Sequence, residues 1–348
     1  IILSQNPAKL RRHIFIMNHY PSNVKEKLNS IILSMAEHHW LFSKNPGHDF
    51  TRQHLGKLSF YDTMRLIISM GKGSTNDEIM DYFDLDPDLI PSQSAFCQRR
   101  RQISLSAFEY LFSEFSSSFP STTDKFKDHC ILACDGCHVV YATNSDIIED
   151  YNKPRLIDYK GYNHMHLNGF VDVISKAFLD VVIQPGQQPD EREALHSMLD
   201  HFTPDDPQKY IITADRGYES YDLLFHCELK NLGYVFRVKS PSSPKSILSY
   251  YASELPDDLE EFDVTIKRFF TDKATNIMKS QSDVYRYINP SKNTPHFYEL
   301  LRKKHSHLYF LQFRVVKIKT SENTYEYLIT NLPFSFTLDD IRECYHWR

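Results

Sequence analysis

The sequence predicts a mixed α/β (α+β) protein: a helical N-terminal region, a core built on a mixed sheet, and a β-rich insertion before a final helix. Three observations predict it. Apolar residues recur at helical spacing up to residue 118. From Asp128 the pattern changes to strands, and the elements then read β-β-β-α-β-α-β. Three strands fit for antiparallel pairing followed by alternating α/β units make a mixed sheet covered by helices.

The elements follow in order. Val24–Ser43 carries Leu28, Ile31, Ile32 and Met35 on one helical face, and Phe60–Met70 does the same with Met64, Ile67 and Ile68. Thr75-x-x-Glu78 has the form of a capping box ahead of Ile79, Tyr82 and Phe83. Pro87 and Pro91 break the chain, and a further helix begins near Ser94. Ser116–Thr123, rich in Ser with one Pro, reads as a linker. Strands are then expected over His129–Tyr141, His164–Ile174 and Ala177–Gln184. Only Ser175-Lys176 separates the last two, so they form a hairpin. Asp190–Phe202 returns to a helical period, Lys209–Ala214 is a short apolar strand, Ser220–Asn231 a helix and Tyr234–Lys239 a strand. Residues 241–332 read as a separate, mostly β insertion, with strands at Leu308–Lys319 and Glu326–Leu332. From Leu338 helical spacing resumes. The expected divisions are thus 17–118, 124–240, 241–332 and 333–348.

Composition narrows the function. The 348 residues are 41% hydrophobic and 24% charged with a net charge of −5, an ordinary globular balance that excludes a disordered or coiled-coil protein. Without global basicity, any nucleic-acid surface must be local. No apolar run approaches the ~20 residues of a membrane span, and no signal-peptide core is visible, so a cytoplasmic protein without a membrane partner is expected. The first Met is Met17, and the natural start is expected there, with residues 1–16 upstream of it.

Six cysteines include the cluster Cys130-x3-Cys134-x2-Cys137 flanked by His129 and His138. A zinc ribbon needs a second pair, which the sequence lacks, so free thiols are the favoured reading. His164-Met165-His166 places two imidazoles on one strand face but offers no third ligand, and a structural role is favoured. The remaining histidines carry no pattern.

Two carboxylates stand out by placement. Asp135 lies in the apolar run Ile131-Leu132-Ala133-Cys134, on the face of Ile131 and Ala133, and Asp215 ends Ile211-Ile212-Thr213-Ala214. A carboxylate among core-facing residues must be paired or metal-bound. Strand C-terminal ends are also where an open α/β sheet exposes its active site. Two such carboxylates suit Mg²⁺, an oxygen-seeking ion, and two-metal phosphoryl transfer.

Several blocks together carry a resemblance. They are Cys134-Asp135-Gly136, then Gly161-Tyr162-Asn163-His164-Met165-His166-Leu167-Asn168, then Gln184-Pro185-Gly186 and Ala214-Asp215-Arg216-Gly217-Tyr218-Glu219-Ser220. Phe236-Arg237-Val238-Lys239, Thr330-Asn331-Leu332-Pro333 and Tyr345-His346-Trp347-Arg348 continue it. The chain resembles bacterial insertion-sequence transposases of the DDE type from about Met17 onward. The resemblance implies an RNase H-like catalytic core interrupted by a β-rich insertion. It also implies cleavage and strand transfer of double-stranded DNA (transposon ends and target) with Mg²⁺ or Mn²⁺, and a homodimer on paired ends. Asp135 and Asp215 match the first and second acids. In this subgroup the third is a Glu within Tyr-x2-Arg-x3-Glu-x6-Lys. Tyr345 and Arg348 match its first two positions, which puts the Glu four residues after Arg348. Glu326 and Glu343 lack that spacing and receive no role. The 348-residue chain is therefore expected not to cleave DNA. The competing readings are a decayed remnant that binds DNA without catalysis and an RNase H-like nuclease.

Candidate DNA contacts are Arg99-Arg100-Arg101 on the helix after Ser94, Lys317 and Lys319 in a basic, aromatic-interleaved stretch, and Arg216 and Tyr218 beside Asp215. Arg237, Lys239, Tyr345 and Arg348 join them from the resemblance.

Overall fold

The computed structural model describes residues 23–51, 57–118, 125–153, 160–289 and 294–348. The Met17 start and most of the Ser116–Thr123 linker lie outside the described residues. The chain divides into two units, Ile1–Pro120 and Ser121–Arg348.

The first unit is helical. Residues 23–37 form α1, followed by α2 (Phe60–Ser69), α3 (Thr75–Tyr82), α4 (Gln93–Gln102) and α5 (Leu105–Ser117). The periodicity that predicts these helices is the stripe they bury: Ile32, Met35, Phe42, Phe60, Met64 and Leu111 share one cluster. Ser59 opens α2 with a complete capping box, its hydroxyl accepting from Asp62 N at 3.0 Å. The cap of α3 is not the one the sequence indicated. Ser74 is the N-cap and accepts from Asp77 N, whereas Glu78 reaches back to the amides of Gly71 and Gly73 at 2.8 and 2.7 Å.

The second unit is built on one sheet whose described strands number ten. They are β1 (Cys130–Tyr141), β2 (Tyr151–Asn152), β3 (Tyr162–Asp172), β4 (Phe178–Pro185), β5 (Tyr210–Ala214), β6 (Gly233–Val238), β7 (Phe262–Thr271), β8 (Tyr285–Tyr287), β9 (Leu308–Ser321) and β10 (Thr324–Thr330). Its helices are α6 (Glu191–His201), α7 (Tyr221–Leu229), α8 (Asn276–Ser280), α9 (Pro295–Lys303) and α10 (Leu338–His346). β4, β3 and β1 pair antiparallel in that order, then β1–β5 and β5–β6 pair parallel. This is the mixed, helix-covered sheet that the sequence predicts.

The β3–β4 hairpin turns where expected. Asp172 Oδ1 accepts from Ile174 N at 2.9 Å, and Lys176 takes a left-handed φ of 61°.

Alternation along β1 decides what covers each face. Leu132 and Cys134 pack with Leu195, Met198 and Leu223 of α6 and α7, and Ile131 and Ala133 pack with Ile341, Cys344 and Tyr345 of α10. Helices thus cover both faces, and each fully buried Leu or Ile contributes roughly 2 kcal/mol.

The 241–332 segment is not set apart from this sheet. β10 pairs antiparallel with β6, β9 with β10 and β7 with β9, so the strands extend the core's own edge. An exposed β6 edge would present unpaired amides, and β10 covers it.

Candidate active site

Parallel pairing fixes the two carboxylates. Ala133 lies opposite Thr213, the last pair of the β1–β5 ladder, and Asp135 and Asp215 follow two residues further along these neighbouring strands, where β5 ends. Asp135 is not buried, contrary to the expectation. Its side chain is 73% exposed, because β1 leaves the helical cover immediately after Cys134. Asp135 Oδ1 accepts from Gly136 N at 3.0 Å. Asp215 caps the turn Arg216–Tyr218, its Oδ1 accepting from Gly217 N at 2.7 Å. Both carboxylates keep free lone pairs toward solvent, and oxygen donors of this kind fit Mg²⁺ or Mn²⁺.

A third carboxylate adjoins them, one that sequence reading missed. Glu191 is the first residue of α6. A Cβ on Gly136 would stand 2.8 Å from Glu191 Oε1, and one on Gly217 would stand 2.9 Å from Glu191 Oε2 and 3.0 Å from Asp215 Oδ1. The carboxylate therefore reaches the residues that follow both aspartates. His166 Nε2 lies 3.3 Å from Glu191 Oε1, and the His138 ring packs against His164 and His166 with centroids 4.6 and 4.8 Å apart. The signal for Glu191 was its position: an acid at a helix start, placed by the β4–α6 turn.

The candidate DNA contacts separate into distinct groups. Arg216 is exposed beside Asp215, and Arg348 Nη1 lies 3.8 Å from Asp135 Oδ2. Arg237 pairs with Glu326 at 3.1 Å, and Lys239 pairs with the buried Glu219 at 3.2 Å. Glu219 also accepts from the amides of Lys239 and Ile247, so Lys239 belongs to a buried polar joint. Tyr218 and Tyr345 are buried, which withdraws both from any DNA surface. Tyr218 Oη accepts from Cys134 Sγ at 3.3 Å, and burial pushes the Cys134 thiol up to about 12.

Lys317 is likewise turned inward, with Nζ donating to Asp257 O at 2.6 Å. Lys319 pairs with Glu260 at 2.5 Å. Lys317 and Lys319 of β9 are thus each paired with an acid, Asp257 and Glu260, just ahead of β7. In the other unit Arg100 and Arg101 are exposed on α4, while Arg99 lies 5.1 Å from the centroid of the Phe50 ring. Among the described residues no helix is long and apolar enough to cross a membrane.

Comparison with known proteins adds the family. The cryo-EM structure of a piggyBac transposase synaptic complex with hairpin DNA matches with a TM-score of 0.39 and 10% identity, over 82% of this chain and 55% of that one. The chain thus spans about half the length of that solved protein. No curated protein matches it in sequence. The family described as Transposase DDE domain matches residues 126–345, from just before β1 to the end of α10. That is more than half of the sequence, and the chain belongs to the family of transposase DDE domains.

Proposed function

We propose that the chain is the DDE domain of a DNA transposase that cleaves and joins DNA at the terminal inverted repeats of an insertion sequence, with Asp135 and Asp215 as two of its metal ligands and with catalysis requiring the third acid that the resemblance places beyond Arg348. The observation that carries this reading is that both aspartates follow the paired β1 and β5 strands at the end of β5, in a chain of this family. A bound Mg²⁺ or Mn²⁺ pair would supply an activated water or 3′-OH and stabilise the leaving oxygen.

The chain's own residues prepare the site. The amides of Gly136 and Gly217 hold one oxygen of each aspartate, which fixes the direction of the other. Arg348 balances Asp135, and Arg216 offers a guanidinium to a DNA phosphate beside Asp215. Lys239 and Arg237, committed to Glu219 and Glu326, position β6. Exposed Arg100 and Arg101 are a second phosphate-binding element on the N-terminal unit. Paired transposon ends call for a homodimer on DNA, acting in the cytoplasm.

The test supplies a pre-cut end with a free 3′-OH, a target plasmid and Mn²⁺. Joined product that disappears in Asp135→Asn and Asp215→Asn establishes a transposase. Hydrolysis without joining establishes an RNase H-like nuclease instead. DNA binding with neither reaction, persisting once the sequence is extended to include a Glu four residues after Arg348, establishes the non-catalytic remnant. Mn²⁺ titration accompanies the assay, and both variants are expected to lower affinity at least about tenfold. Unchanged affinity would remove the two aspartates from the metal site.

A further inference from the structure

Three histidines far apart in sequence meet in the second unit. His196 comes from α6, His226 from α7 and His296 from α9, and among the described residues this is the group whose ligand atoms all lie within 4.8 Å of one another. Their rings stack. The centroids of His226 and His296 are 3.8 Å apart with planes 11° from parallel, and those of His196 and His296 are 4.3 Å apart at 12°. His196 Nδ1 and His226 Nδ1 face each other at 2.9 Å. Two nitrogens of the same kind this close need either one shared proton or a common electrophile.

Carboxylates flank the group. Asp222, 1% exposed, places Oδ2 2.7 Å from His296 Nδ1 and 3.6 Å from His196 Nε2. Its other oxygen accepts from the amides of His296 and Phe297 at 3.1 Å, so the same carboxylate caps α9. Asp200 Oδ1 lies 3.2 Å from His226 Nε2. A carboxylate on the far nitrogen of an imidazole is the usual partner of a metal-ligating histidine.

We propose that His196, His226 and His296, with Asp222 as their carboxylate partner, form a binding site for a zinc-like transition-metal ion that ties α6 and α7 to α9. The donor set chooses the ion. Imidazole nitrogen suits Zn²⁺ and its borderline neighbours, whereas Mg²⁺ and Mn²⁺ prefer the oxygens of Asp135 and Asp215. Tetrahedral zinc at 2.0–2.1 Å from each nitrogen sets them ~3.4 Å apart and lies in the plane of each ring, so the stacked imidazoles must rotate about their side-chain bonds to close on it. The ion would fasten the 241–332 segment, which supplies α9, to the helices behind the acidic site. His196 and Glu191 line one cavity of about 620 Å³, so such an ion would also brace the start of α6.

The experiment uses the whole 348-residue chain carrying Asp135→Asn and Asp215→Asn, which disables the oxygen site. The protein is loaded with ZnSO₄, freed of excess by gel filtration, and its zinc is counted by elemental analysis. One zinc per chain is expected, with an X-ray absorption spectrum of nitrogen and oxygen neighbours and no sulfur. Zinc content is expected to fall about tenfold in His196→Gln and in His296→Gln, the two histidines nearer the surface. Far-UV circular dichroism identifies any variant that has not folded. A chain that retains no zinc overturns the proposal, as does sulfur in the spectrum, which would assign the ion to the Cys130–Cys137 cluster. Full zinc content in both folded histidine variants also overturns it, leaving a hydrogen-bonded stack of imidazoles.

Discussion

Gly217 stands between two carboxylates with no room for a methyl group. Its amide holds Asp215 Oδ1 at 2.7 Å, and an added Cβ would meet that oxygen at 3.0 Å and Glu191 Oε2 at 2.9 Å. Its φ is not positive, so alanine fits the backbone. The colliding atoms are ends of flexible side chains, which turn away at little cost. Gly217→Ala should therefore leave stability within about 1 kcal/mol of wild type while weakening Mn²⁺ binding about tenfold. Titration with Mn²⁺ followed by electron paramagnetic resonance, beside a urea melt, checks both halves. Wild-type affinity would mean that the Gly217 amide does not set the direction in which Asp215 faces the ion. Neighbouring residues show what a sequence reveals at this scale. Asp135 and Asp215 were legible because polar residues interrupt apolar strands. Tyr218 and Lys317 were misjudged because their surroundings come from Cys134 and Asp257, distant in sequence. His196, His226 and His296 carried no local signal, since only the packing of three helices brings them together.

Helix α3 separates a pattern from its physical basis. Thr75-x-x-Glu78 has the spacing of a capping box, yet Ser74 makes the cap, and Glu78 bonds Gly71 and Gly73 in the preceding turn. Serine and threonine are both good caps, so the backbone before the helix decides which one serves. Ser74 is extended, at φ −66° and ψ 155°. Ser74→Ala should cost ~1 kcal/mol in a urea melt of the N-terminal unit's transition, and Thr75→Ala a few tenths. Equal losses would return the cap to Thr75. The same contrast runs through the chain. The main core strands β1, β3, β4, β5 and β6 and helices α6 and α7 were legible because alternation and helical period are local. That 241–332 extends the core sheet was not legible, because β10 pairs with β6 across some ninety residues, with Thr330 opposite Val235.

A polar joint adjoins that long-range closure. Glu228 of α7 accepts from Asn331 Nδ2 at 3.1 Å and from Tyr309 Oη at 3.2 Å, while Asn331 Oδ1 accepts from Tyr234 N at 2.9 Å. One carboxylate thus links α7 to β9 and to the residue just after β10, and through Asn331 to β6. Burial raises the Glu228 carboxyl above the usual carboxylate range, and the two hydrogen bonds oppose it only in part. The sign follows. The folded chain holds this proton at a pH where the unfolded chain has released it, so the group's contribution is complete below the unfolded value and is lost as pH rises through the folded one. Glu228→Gln removes the titration and keeps the joint, since Gln Oε1 accepts from Asn331 and Nε2 donates to Tyr309. The variant should resist urea better than wild type at pH 8, with the gap narrowing toward pH 4. Urea midpoints across that range decide it. A variant that is weaker at pH 8 would mean that the charged carboxylate's hydrogen bonds outweigh its burial, and that the 241–332 segment is held to the core by charge rather than despite it.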